Sequence, residues 1–216
     1  MPSMPDETPL PDKTAALFDS LMKSNAAACH PNFALLRFVR WYPGWSPTST
    51  DRSDRSAPTV KDTAFKAAAA AASSEALRRL AAQVLERRRA WVAPLHASGT
   101  ARVLKLRALT PLAVGLSSPG PLELGMAFHH VYGYPVLPPS GLKGLAHAAR
   151  GREAGRDLYG EIDCAGQVAF LEGIPLSWSV RRDIMTPHHP GWYGQGRGNS
   201  VPNDTDNPVP ISFLSI

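Results

Sequence analysis

GYPVLPPSGLKGLAHAAR, residues 133–150, decides how the rest of the chain is read. Pro138 and Pro139 exclude helix upstream, because proline fixes φ and drives the residue before it to extended geometry. Ser140 then carries a side chain able to cap a helix that begins at Gly141. The first-turn N–H groups of such a helix have no intrahelical partners and point outward with the positive end of the helix dipole. Lys143 adds a full charge in the same turn. Gly141 and Gly144 weaken the helix, which points to close approach by a phosphate or by a packed neighbour. The expectation is an anion site at a helix start, set against an ordinary cap beside a solvated lysine.

Working outward, a chain of 216 residues is long enough for one sizeable core. With 44% hydrophobic and 19% charged residues it has the balance of a globular protein. No run approaches the roughly twenty apolar residues of a membrane helix. The start MPSMPDETPL has neither the basic nor the apolar region of a signal peptide, so a cytoplasmic protein without membrane contact is expected. Cys29 and Cys164 are far apart with no second pair, which favours two buried thiols over a disulfide framework or a zinc site. A net charge of +5 tilts the partners toward polyanions. The 21 prolines and 17 glycines predict many loops between short elements.

Residues 1–12, rich in proline and acid, read as a disordered tail. A helical N-terminal region is expected over 13–100. It comprises a short amphipathic helix from Lys13 to Lys23, a strand or short helix in NFALLRFVRWYPGW at 32–45, an exposed polar loop at 46–58 and a helix from about Lys61 to Val92. In the last of these, Leu77, Leu80, Ala81, Val84 and Leu85 recur at helical spacing, with Arg78, Arg79, Arg87 and Arg89 mostly opposite. That basic face is either a phosphate-binding surface or a solvated one. The alanine run 67–72 is a strong helix former and otherwise silent.

The second half, 101–216, reads differently. RVLKLRAL at 102–109 alternates as a strand with Val103, Lys105 and Arg107 on one face and Leu104, Leu106 and Ala108 on the other, one face buried and one basic. A glycine- and proline-rich loop over 110–138 leads to the central helix. Further strands are expected at 167–176 and 179–185, then a long polar loop at 186–210 and a last strand at 211–216. Strand, helix, strand, strand is the opening of a ferredoxin-like, RRM-like unit, which still requires a second helix and a fourth strand. The expectation is an α+β domain with long loop insertions, its final helix and strand missing or supplied by another segment or a partner.

The run PLAVGLSSPGPLELGMAFHHVYGYPVLPPSGLKGLAHAAR resembles the signature of the RAMP superfamily of CRISPR effector proteins. Gly115, Glu123, Gly125, Gly133, Pro135, Pro138, Ser140, Leu142, Lys143, Gly144 and Arg150 occupy its places. LYGEIDCAGQVAFLEGIPL and DIMTPHHPGWY are similar to later segments of one branch, the sixth Cmr subunit of type III-B complexes, over roughly 102–216. Gly141 stands where a second serine is usual, and the family's C-terminal glycine-rich loop is not in the chain. The resemblance implies a non-catalytic RNA-binding ribonucleoprotein subunit of antiviral defence. It would hold guide RNA toward its 3′ end, with target RNA, and contact other Cmr-type RAMP subunits. The expected RNA-binding residues are Ser140, Gly141, Lys143, Gly144 and Arg150 at the central helix, and Lys105 and Arg107 extending the track. His129, Tyr132, His188 and Arg197 complete the set. Phe128, Tyr132 and Tyr134 are the aromatics of a loop that would either wedge between bases or pack on its own domain.

Two histidine pairs, His129–His130 and His188–His189, invite a catalytic reading. Adjacent residues diverge on a strand or helix, and no Asp, Glu or Cys spacing beside them resembles a metal motif, so neither metal nor cofactor is expected. A metal-independent ribonuclease using His188 as base with Lys143 or Arg197 as the phosphate cation is the alternative. A protein scaffold without RNA contact is the second. The simpler expectations are a structural His188 within reach of Asp183, and Asp204 and Asp206 as a solvated loop pair.

Overall fold

The computed structural model describes residues 11–25, 29–37, 39, 60–117, 120–122, 124–151, 155–189, 192, 201–208 and 210–216. The tail residues 1–10, the polar loop 46–58, Glu123 and Arg197 lie outside the described residues. The order is α1 Asp12–Asn25, α2 Pro31–Leu36, α3 Val60–Ala72, α4 Glu75–Ala97, α5 Pro139–Arg150, α6 Arg156–Tyr159, β1 Gly160–Glu161, β2 Cys164–Ala165, β3 Arg181–Met185 and β4 Ile211–Ser215. This is an α+β protein with two small antiparallel sheets, β1 with β2 and β3 with β4.

The single helix expected over 61–92 is two helices, because serines interrupt it. Ser73 turns its hydroxyl back onto the Ala69 carbonyl at 2.8 Å, and Ser74 caps α4 by accepting the Leu77 N–H at 3.3 Å. The alanine run is not silent. Ala68, Ala71 and Ala72 are buried, and their small size lets α2 lie close against α3. One core runs through both halves of the chain. It joins Ala34 and Leu35 of α2, Phe65 of α3 and Leu77, Ala81 and Val84 of α4 to Leu122, Met126, Phe128, Tyr134, Trp178, Val180 and Leu214.

Trp178 is the bolt between those halves. Its indole N–H donates to the Ala72 carbonyl at the end of α3 at 2.8 Å, satisfying one of the orphan acceptors of a helix C-terminus. Arg78 lies 4.9 Å over the ring and donates to the Trp178 carbonyl at 3.1 Å. A second tie runs from Arg182 on β3 to Asp62 on α3 at 2.7 Å.

The loop over 110–138 folds back on itself. Ala127 donates to the Val114 carbonyl and Gly125 to that of Leu116. Gly115, at φ +77°, permits the approach, since a Cβ there would stand 2.7 Å from the Ala127 nitrogen. Phe128 pairs with Pro135 across a tight turn closed by His129 N–H to Tyr134 O at 2.7 Å and Gly133 N–H to His129 O at 2.8 Å. Phe128 and Tyr134 are thereby buried, Tyr134 completely, so these aromatics pack on their own domain and are not free to wedge between bases.

Two expected strands are not formed. Residues 102–109 and 167–176 carry no strand; isolated main-chain pairings, Leu137 with Gly173, Leu112 with Ile216 and Val168 N–H to the Leu158 carbonyl, connect their neighbourhoods to other segments. Leu104 and Leu106, expected on a buried face, are exposed. Cys29 is buried as expected, whereas Cys164 on the β1–β2 hairpin is exposed.

α2 starts at a histidine cap with its own consequence. His30 Nδ1 accepts the Asn32 N–H at 3.2 Å, which demands a free lone pair on that nitrogen, and Nε2 is buried without a partner among the described residues. Burial holds the imidazole below its ordinary value of 6.5. The unfolded chain therefore takes up this proton first as pH falls, and the contribution is complete above about pH 6.5 and declines below it. Urea unfolding at pH 7.5 and 5.5 checks this: the wild type is less stable at 5.5, and His30→Asn, which can still cap, shows a smaller difference between the two.

Candidate nucleic-acid interface

α5 begins two residues earlier than expected. Pro138 stands at the cap position with extended backbone, Pro139 opens the helix and Ser140 lies inside the first turn without capping it. A proline cap has no side-chain acceptor, so none covers the first turn; the earliest main-chain bond is Leu142 N–H to the Pro138 carbonyl at 3.2 Å. The N–H groups of Ser140 and Gly141 are left unbonded among the described residues, and Pro139 has none to offer. Ser140, Gly141, Lys143 and Gly144 are all exposed. A Cβ on Gly141 or Gly144 would meet nothing within 4 Å, which removes the packed neighbour and leaves open space before the turn. No α5 residue is buried, and Arg150 sits exposed in the last turn. Free N–H donors, the dipole and a mobile ammonium group give this turn the chemistry of a phosphate-backbone contact without base reading.

The basic face of α4 is spoken for. Arg78 holds Trp178, Arg79 pairs with Glu75 at 3.1 Å and Arg89 with Glu86 at 2.8 Å. Arg87 donates to the Tyr132 hydroxyl at 2.8 Å in an exposed bond, and Arg88 pairs with Glu172 at 2.9 Å, partly screened from water. Partners from residues far along the chain turn this stripe from a phosphate surface into a seam between α4 and the second half.

His129 and Tyr132 belong to that seam. His129 Nδ1 accepts the N–H groups of Val131 and Tyr132, each at 3.1 Å, and Nε2 lies 3.8 Å from Glu172. With its ring packed at a tilt against Tyr132 and Tyr134, His129 organises the turn and has both ring nitrogens occupied by the turn and by Glu172. Tyr134, whose hydroxyl is buried without a partner among the described residues, is pushed up to about 12 by burial and by Glu172. Glu172 and His30 are members of this buried polar group that sequence reasoning passed over. Only the pairing of distant segments exposes their roles.

His188 is exposed, and the bond expected for it belongs to its neighbour. His189 Nδ1 lies 2.9 Å from Asp206, which also accepts the Asn203 N–H at 3.1 Å. Those two bonds, the histidine's first, hold the Asp206 carboxyl below its usual range. Asp206 is thus a loop staple and not a solvated residue. Asp183 accepts instead from the N–H of Ile184. Lys105 and Arg107 are exposed on the strandless segment. Among the described residues no group of three His, Cys, Asp or Glu side chains could hold a metal ion, and no helix is long and apolar enough to cross a membrane.

The model of the RAMP superfamily matches residues 105–184, a span that contains the folded-back loop, all of α5 and most of β3. Over this span the chain is similar to the RAMP superfamily. No curated protein and no solved structure matches the chain.

Proposed function

We propose that the protein is a non-catalytic RNA-binding and assembly subunit of a type III-B CRISPR effector complex, closest to the sixth Cmr subunit, built on a ferredoxin-like RAMP fold. It holds guide RNA toward its 3′ end, alongside target RNA, and contacts neighbouring RAMP subunits in the cytoplasm. The observation that carries this reading is the first turn of α5, with two unbonded N–H groups and Lys143 facing open space inside the RAMP-matching span. Backbone contact of this kind grips a strand whatever its sequence. Ser140, Gly141, Lys143 and Gly144 form the grip, and Arg150 adds charge at the far end of the helix.

Titration with single-stranded RNA at several salt concentrations tests it. Affinity falls as salt rises, and Lys143→Ala weakens binding equally for unrelated sequences while reducing the magnitude of the salt slope by about 0.7. An unchanged slope would remove Lys143 from the interface, and salt-independent binding would favour the scaffold reading. The ribonuclease reading has one observation in its favour, the imidazole of His189 oriented by Asp206 beside the exposed His188. Site-specific cleavage of RNA in EDTA, lost in His188→Ala or His189→Ala, would replace the non-catalytic reading with that one.

A further inference from the structure

Residues 102–108 run on without helix, turn or bend, and no backbone N–H or C=O from 102 to 111 has a partner among the described residues. Both edges of a strand-like segment are therefore bare, a condition that folded proteins avoid by covering or charging the edge. Its side chains are as uncovered as its backbone. Leu104 is 77% exposed, Leu106 74% and Leu109 93%, with Val103 beside them. These four make an apolar run that water solvates poorly. The segment is also continuous with a formed ladder. After a bend at 109–110, Leu112 exchanges both main-chain bonds with Ile216, which continues β4 and, through it, β3.

We propose that residues 102–108 are an acceptor for an extended polypeptide strand of alternating apolar and acidic residues, added to the edge of the β3–β4 ladder. A polypeptide fits where a nucleic acid does not. Only another backbone satisfies a row of N–H and C=O groups in alternation, and only apolar side chains cover Leu104 and Leu106. Lys105 and Arg107 stand within the same stretch, on the face opposite Leu104 and Leu106. Opposite charges directly across a strand pair stabilise it and like charges oppose it, so the incoming strand carries Glu or Asp where these residues stand. The same rule disfavours a second copy of this segment, which would set Lys105 and Arg107 against themselves. This surface is independent of the α5 grip, and Lys105 and Arg107 are assigned to it and not to RNA.

The probe is a short fluorescein-labelled peptide of alternating valine and glutamate, titrated into the full chain. Saturable anisotropy is expected, with amide exchange over 102–108 slowed. Leu106→Pro, which removes one ladder donor from a segment that bonds to nothing in the free protein, weakens binding about tenfold or more without changing the unfolding midpoint. The double substitution Lys105→Glu with Arg107→Glu loses the valine–glutamate peptide and gains one of valine and lysine. Lys143→Ala leaves peptide binding as it was, so a failure here and a failure of the RNA reading are told apart. Binding untouched by Leu106→Pro, or absent, would overturn the proposal. So would exchange slowed by raising the protein concentration alone, which would assign the edge to a second copy, or slowed by single-stranded RNA and not by peptide.

Discussion

Trp178→Ala is expected to lower the free energy of unfolding by about 3–5 kcal/mol, the range for removing a large aromatic side chain from a core. Three losses coincide at this position. The indole leaves the core between α3, α4 and β4, and the space it occupied is bounded by helices that cannot collapse far. The Ala72 carbonyl loses its donor at the end of α3. Arg78 loses the ring beneath its guanidinium. Trp178→Phe separates these contributions in part, because it keeps a six-membered aromatic ring in the core while removing the N–H with the five-membered ring. It should cost about 1–3 kcal/mol, the penalty for a buried acceptor left unpaired. Urea unfolding followed by circular dichroism measures both. Equal effects from the two substitutions would mean that the hydrogen bond, and not the packing, holds the corner.

Gly133→Ala should cost about 2–5 kcal/mol, the sum of a left-handed backbone for a residue with a Cβ and of crowding against a fixed neighbour. Gly133 sits at φ +84°, and a Cβ there would lie 2.9 Å from the Pro31 ring and 3.1 Å from the His30 imidazole. Neither neighbour gives way easily, since Pro31 opens α2 and His30 caps it. Gly99 provides the control. At φ +78° it has the same backbone demand, with nothing within 4 Å of a Cβ, so Gly99→Ala carries the conformational cost of about 1–2 kcal/mol without the crowding. Unfolding midpoints of the two variants therefore measure the packing of the turn against α2 as a difference. No difference would mean that α2 moves aside.

The helices were legible because their bonds are local. Leu77, Ala81 and Val84 at helical spacing state the apolar stripe of α4 in a single stretch, although α3 and α4 read there as one helix, and the proline pair before α5 states its start to within two residues. The error at that start is instructive. Ser140 has the residue type of a cap, but Pro138 is already extended and Pro139 already suits the first helical position, so the cap falls two residues earlier and carries no side-chain acceptor. The turn is more open to an anion than a serine-capped one.

Strands are a different matter, since alternation says only that a segment suits a sheet and not that a partner arrives. RVLKLRAL alternates better than RRDIM, yet β3 forms at 181–185 because β4 lies against it, while 102–108 stays unpaired. Charge follows the same division. The arginines of α4 read as either a phosphate surface or a solvated face until Trp178, Tyr132 and Glu172, roughly 45 to 100 residues away along the chain, are brought to Arg78, Arg87 and Arg88.

By itself, then, the sequence determined the helical stripe of α4, the proline-set start of α5 with Lys143 in its first turn, and the likeness of 105–184 to the RAMP superfamily, all carried by residues close together in the chain. Only the tertiary structure decided which cations are free, that Tyr134 and His129 build a core and not a base-stacking wedge, and which strands find a partner. Hydrogen bonds of a helix close within four residues, whereas a ladder, an ion pair or a buried ring is defined by whatever the rest of the chain brings beside it.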